Sequence, residues 1–125
     1  MSDTLLKLSQ IGKAYGSVDA AKDINLDVAP GEFLTFLGPS GSGKTTTLMM
    51  VAGFTDPTTG NIYLDGKPLD PIPVWKRDIG MVFQHYALFP HMSVNQNVSF
   101  PLEMRGVAKA NRRKKVEDAL EMVGL

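Results

Sequence analysis

Three glycines precede a lysine and threonines follow it in Gly38-Pro39-Ser40-Gly41-Ser42-Gly43-Lys44-Thr45-Thr46. Gly38 to Thr45 fits G-x-x-x-x-G-K-[ST] without departure. Gly38, Gly41 and Gly43 open backbone angles closed to other residues and let the main chain approach an anion closely. Successive N–H groups, including those of Pro39's successors Ser40 and Ser42, then face one concavity, an anion nest. A helix starting near Lys44 adds the positive end of its dipole. Lys44 is placed to reach the β- and γ-phosphates of a nucleotide, and the Thr45 hydroxyl to ligate Mg²⁺. Thr46 completes the same first turn. The pattern predicts binding of ATP. A flexible Gly/Ser loop that holds a lysine by chance is the competing reading.

The motif needs a strand before it and a helix after it. Phe33-Leu34-Thr35-Phe36-Leu37 is short and almost wholly apolar, which predicts a strand buried on both faces. Thr45 to Val51 reads as a helix, ended by Gly53. Upstream, Leu6 and Leu8 alternate with Lys7 and Ser9, and Ile24, Leu26 and Val28 with Asn25 and Asp27, predicting two strands. Tyr15-Gly16-Ser17 and Pro30-Gly31-Glu32 read as turns. Downstream, Asp56 to Gly60 is a turn, Asn61 to Leu64 a strand and Asp65-Gly66 a hairpin signal. Pro68, Pro71 and Pro73 mark an irregular stretch, and Ile79 to Phe83 a further buried strand. Ser93 is a predicted N-cap for a helix over 94–98, which Pro101 breaks or restarts. Lys109 to Val123 predicts an amphipathic helix with Val116, Ala119, Leu120 and Val123 on one face and Gly124 as its cap. The order argues for an α/β fold, a P-loop nucleotide-binding core with an adjoining antiparallel β portion.

Lysine plus arginine number 13, as do aspartate plus glutamate, so the net charge is zero and gives no electrostatic case for nucleic acid. There are no cysteines, which excludes disulfides and thiolate zinc sites. His85 and His91 are six apart and are not a metal pair at helix spacing. Arg112-Arg113-Lys114-Lys115 is followed by Glu117, Asp118 and Glu121, which reads as the solvated face of the last helix. No apolar run approaches the roughly 18–20 residues that span a bilayer. Met1-Ser2-Asp3-Thr4 lacks the basic start of a signal peptide. The expectation is a soluble, cytoplasmic chain whose membrane role, if any, comes through a partner.

Beyond the loop, Tyr15-Gly16, Val82-Phe83-Gln84 and the run Tyr86-Ala87-Leu88-Phe89-Pro90-His91-Met92-Ser93-Val94 with Asn97-Val98 carry a resemblance. The chain resembles the N-terminal half of an ATP-binding subunit of an ABC transporter, and the resemblance covers essentially its whole length. The run from Tyr86 is similar to importer subunits for polyamines, ferric iron, phosphonates or sugars. The resemblance implies that Tyr15 stacks on adenine, with Val18 and Ala20 lining the base pocket. It implies that Gln84 ligates Mg²⁺ beside Thr45, orients water and links nucleotide to the transporter interface. It divides the chain into residues 1–84, the nucleotide-binding core and β portion, and residues 85–125, the start of a helical subdomain, incomplete relative to the family. Implied partners are transmembrane permease subunits, a second ATP-binding subunit and, indirectly, an external solute-binding protein. The implied place is peripheral, on the inner face of the cell membrane.

These 125 residues contain no Leu-Ser-Gly-Gly-Gln signature and no apolar strand ending in Asp-Glu. They are therefore expected to bind nucleotide, to lack the general base that hydrolysis requires, and to be marginal as an isolated monomer. Two other functions use the same loop. One is a non-catalytic ATP-binding module working at this length. The other is a small-molecule kinase or GTPase; no Asn-Lys-x-Asp guanine motif is present, and that reading leaves Tyr15 and Gln84 without a role.

Overall fold

A computed structural model describes residues 4–125. Its elements are β1 (Leu6–Tyr15), β2 (Val18–Val28), α1 (Lys44–Ala52), β3 (Thr59–Leu64), β4 (Lys67–Pro68), a 3₁₀ turn (Val74–Lys76), α2 (Val94–Met104) and α3 (Lys109–Met122). They fall into two compact units, Met1–Met81 and Val82–Leu125.

The first unit is built on one four-stranded sheet of order β2-β1-β3-β4, antiparallel throughout. Gly16 and Ser17 turn β1 into β2, pairing Tyr15 with Val18. Asp65 and Gly66 turn β3 into β4 with φ of 50° and 78°, the positive pair of a type I′ hairpin. The strands are longer than their alternating stretches because each long strand carries a bulge. Leu8 and Ile11 are both buried, though three residues apart, as are Ala21 and half-buried Ile24. A regular strand would turn one of each pair outward. Instead Gln10 and Asp23 adopt φ of 51° and 52°, the register shifts, and Ile11 faces Ile24. The Asn25 Oδ1 accepts the Gln10 N–H at 2.9 Å, satisfying a donor that the bulge would strand. Leu8, Ile11, Ala21 and Ile62 thereby share one core with Met50 of α1 and Leu69.

Two predicted strands do not form. Residues 33–37 and 79–83 belong to no sheet, and Phe33, Leu37 and Val82 are 94%, 91% and 83% exposed. A strand requires a neighbour for its N–H and C=O groups, and neither segment pairs with a strand among the described residues. The 33–37 segment runs alongside α1 without sealing it to the sheet. A cavity of about 550 Å³ remains, lined by Leu6, Leu26, Leu34, Phe36, Leu48 and Val51 among others.

In the second unit, α2 begins with the predicted cap. Ser93 Oγ accepts the Gln96 N–H and Gln96 Oε1 accepts the Ser93 N–H, a full capping box. Pro101 neither breaks nor restarts the helix, which runs on to Met104. The ring removes one donor, but its fixed φ suits a helix; the capping box, Asn97 and the Phe89–Phe100 ring contact at 4.8 Å hold the turn before it. In α3 the apolar face is narrower than its periodicity suggests. Val116 is buried and Leu120 half-buried, whereas Ala119 and Val123 are exposed. Gly124 takes the predicted left-handed cap, φ 79°.

Candidate functional site

The loop before α1 is shaped by backbone rather than by side-chain packing. Gly43 has φ 90° and is the N-cap of α1, with no side chain capping the helix. A Cβ on Gly43 would lie 2.7 Å from the Ala20 carbonyl oxygen, so this position sits directly on β2. Thr47 secures the junction one turn on. It is 2% exposed, and its Oγ1 donates to the Gly43 carbonyl at 2.7 Å beside its own N–H at 2.9 Å. Sequence reasoning missed Thr47; its one signal is a hydroxyl placed a helical turn after the last loop glycine.

Within the loop the Ser42 N–H donates to the Pro39 carbonyl at 3.2 Å. The Lys44 ammonium donates to the carbonyls of Gly38 and Pro39, the latter at 3.0 Å, and lies 3.4 Å from Ser42 Oγ. By contrast, the N–H groups of Lys44, Thr45 and Thr46 donate to no acceptor among the described residues. These are the donors that an α-helix leaves unpaired at its start. Gly38, Ser40, Gly41, Ser42 and Thr45 are exposed and Thr46 is half-buried, so the concavity is open to a ligand. Three aligned N–H donors, a helix dipole and an ammonium group form a donor-only set matched to phosphate oxygens. The loop therefore fits a nucleotide phosphate chain.

Tyr15 closes β1 and is 56% exposed, opposite Val18, itself 63% exposed. The Lys13 ammonium lies 5.2 Å from the centre of the Tyr15 ring and donates to the Asp56 carbonyl at 2.8 Å. Ala20, two residues beyond Val18 on β2, is the residue against which Gly43 sits. The sheet thus brings the Tyr15–Val18 hairpin end and the phosphate loop to the same end of β2.

Gln84 belongs to the second unit. It is exposed at the centre of a turn closed by the Tyr86 N–H on the Phe83 carbonyl at 3.0 Å. Tyr86 and Ala87, two and three residues beyond Gln84, both have left-handed φ, 66° and 55°. Beyond them the chain is pinned by Asn97. Its side chain accepts the Phe89 N–H at 2.9 Å and donates to the carbonyls of Ser93 at 2.9 Å and Phe89 at 3.2 Å. Tyr86 and Leu88 stay exposed, and His91 meets the edge of Phe89.

A family profile described as ABC transporter matches residues 21–125. The chain belongs to the ABC transporter family. This ABC transporter chain is 44% identical, over 97% of its length, to the spermidine/putrescine import ATP-binding protein PotA of Bacillus cereus. It is 46% identical, over its whole length, to the protein of that name from Legionella pneumophila. It spans 37% and 34% of those relatives, about a third of their length. Among solved structures it is similar to the dimeric MJ0796 bacterial ABC transporter cassette, with a TM-score of 0.86 at 32% identity, covering 96% of this chain and 57% of that one. It is also similar to cbiO1 of Clostridium perfringens, part of the cbiONQ ABC transporter complex, with a TM-score of 0.81 at 34% identity, covering 99% and 52%. Among the described residues no helix is long and apolar enough to cross a membrane.

Proposed function

We propose that this chain is part of the energising subunit of an ABC importer and that its loop from Gly38 to Thr46 holds Mg-ATP. The observation that carries the reading is the row of unpaired N–H donors at the start of α1, with the Lys44 ammonium on the same loop. Lys44 binds the β- and γ-phosphates, its charge offsetting theirs. Gly38, Pro39, Ser40, Gly41, Ser42 and Gly43 supply the backbone cradle. The Thr45 hydroxyl ligates Mg²⁺, and Thr46 donates its N–H from the first turn. Tyr15 stacks on adenine, with Val18 beside it; its exposed ring gives binding area without specific hydrogen bonds. Gln84 is the second proposed magnesium ligand and the group that orients water. Magnesium, when bound, supplies charge neutralisation at the phosphates.

ATP hydrolysis is proposed for the parent protein, since the segment 38–46 itself contains no carboxylate and these 125 residues contain no Leu-Ser-Gly-Gly-Gln signature. Permease subunits and a second ATP-binding subunit are the proposed partners, with a solute-binding protein acting through the permease. The exposed Tyr86 and Leu88 suit a permease contact, since aromatic side chains favour interfaces. The names of the relatives favour a polyamine as solute. The proposed place is the cytoplasmic face of the membrane, with no nucleic-acid partner. Lys44→Ala should weaken Mg-ATP binding by more than about 100-fold, an effect of about 3 kcal/mol. Isothermal titration of the folded variant measures it, and wild-type affinity in that variant would sink the reading.

A further inference from the structure

Thr47 and Arg77 are the buried polar or charged side chains among the described residues, and Arg77 is 5% exposed. It makes no ion pair with a described carboxylate. Its guanidinium is spent on main-chain oxygens. Nε donates to the Ile72 carbonyl at 2.8 Å, and Nη1 to the carbonyls of Met50 and Val51, each at 3.1 Å. Met50 and Val51 lie in the last turn of α1, where carbonyls have no helical N–H partner. The Met49 carbonyl takes the N–H groups of Gly53 and Phe54, both at 3.0 Å. The carbonyls of Met49, Met50 and Val51 thus all have donors, and a cation sits at the helix's negative pole. Gly53 is what admits the guanidinium: a Cβ there would lie 2.7 Å from Nε and 2.8 Å from Cζ, and its φ is 97°.

A buried guanidinium without a carboxylate is costly for capping alone. What it adds is geometry. A planar fork with several fixed donors joins the helix end to the 72–77 turn in one orientation, which a flexible ammonium does not. α1 is nine residues long, a rod of about 13 Å, so a shift at one end reaches the other. At that other end are Lys44 and the unpaired N–H groups of the phosphate loop.

We propose that Arg77, admitted by Gly53, is a positioning residue for the phosphate loop, fixing α1 so that its first turn meets the nucleotide phosphates in register. The proposal rests on the reading of the loop as an ATP site. The test uses the full chain with the fluorescent nucleotide TNP-ATP, displaced by ATP or by AMP. ATP engages the whole phosphate clamp, whereas AMP engages mainly the base site. In folded Arg77→Lys, the Kd for ATP should rise about tenfold and that for AMP less than about twofold. A merely destabilising change lowers the folded fraction and leaves the ratio of the two constants untouched. An unchanged ratio, with wild-type binding intact and Lys44→Ala inactive, overturns the positioning role alone. Absence of wild-type binding removes the site and this role together. If Arg77→Lys does not fold, hydrogen exchange of the wild-type chain decides. Coupling is reciprocal, so Mg-ATP should slow exchange of the Gly53 and Phe54 amides at the far end of α1; no change there overturns the proposal.

Discussion

The phosphate loop and the Gln84 turn are both exposed, and each carries residues proposed above for nucleotide, yet they are held in opposite ways. The loop takes its left-handed angles at glycines, sits on β2 through Gly43 and is locked by the buried Thr47 hydroxyl. The Gln84 turn places its left-handed angles on Tyr86 and Ala87, where a Cβ costs about 1–2 kcal/mol per residue. Downstream of it, Asn97 ties the backbone from Phe89 to Ser93 onto α2. The lesson is that exposure alone does not distinguish a cradle built on glycines from a turn strained at residues that carry a Cβ. The first presents fixed donors; the second stores backbone strain at Tyr86 and Ala87.

Four measurements break or sharpen that contrast. The largest effect is expected at the loop. Gly43→Ala forces a Cβ onto the Ala20 carbonyl oxygen at a left-handed angle, and should cost about 3 kcal/mol in urea unfolding, together with ATP binding. A loss below about 1 kcal/mol would show the loop to be softer than its contacts imply. Next, Asn97→Ala removes several main-chain hydrogen bonds and should cost about 2 kcal/mol, with faster proteolysis between Phe89 and Ser93. Ala87→Gly, at φ 55°, should instead stabilise the chain by about 1 kcal/mol if the strain is real. A destabilised Ala87→Gly would place the strain elsewhere. The smallest effect is expected for Gln84→Ala on Mg-ATP affinity, less than about threefold, because a neutral amide contributes less than an ammonium at a phosphate. A loss as large as that of Lys44→Ala would erase the distinction between the two regions.

Elements written within a few residues were legible in advance. Gly53 ends α1, Asp65-Gly66 turns the hairpin and Ser93 caps α2 with Gln96, because each is a local backbone demand met by neighbours in sequence. Only the three-residue steps from Leu8 to Ile11 and from Ala21 to Ile24 hinted at the bulges. Pairing of the two strands decided them, since a slip there turns a whole apolar face outward. Apolar composition alone suggested strands at 33–37 and 79–83. Neither forms, because strand identity depends on a partner's hydrogen bonds and not on hydrophobicity.

By itself, the sequence determined the phosphate loop: the glycine, lysine and threonine spacing specifies backbone angles and charge within nine residues. Only the tertiary structure decided what holds that loop still. Ala20 beneath Gly43 comes from another element of the first unit, and Arg77 reaches the end of α1 from 26 residues beyond Val51. Contacts of that kind have no period or motif, because they are set by which surfaces meet after the strands have paired.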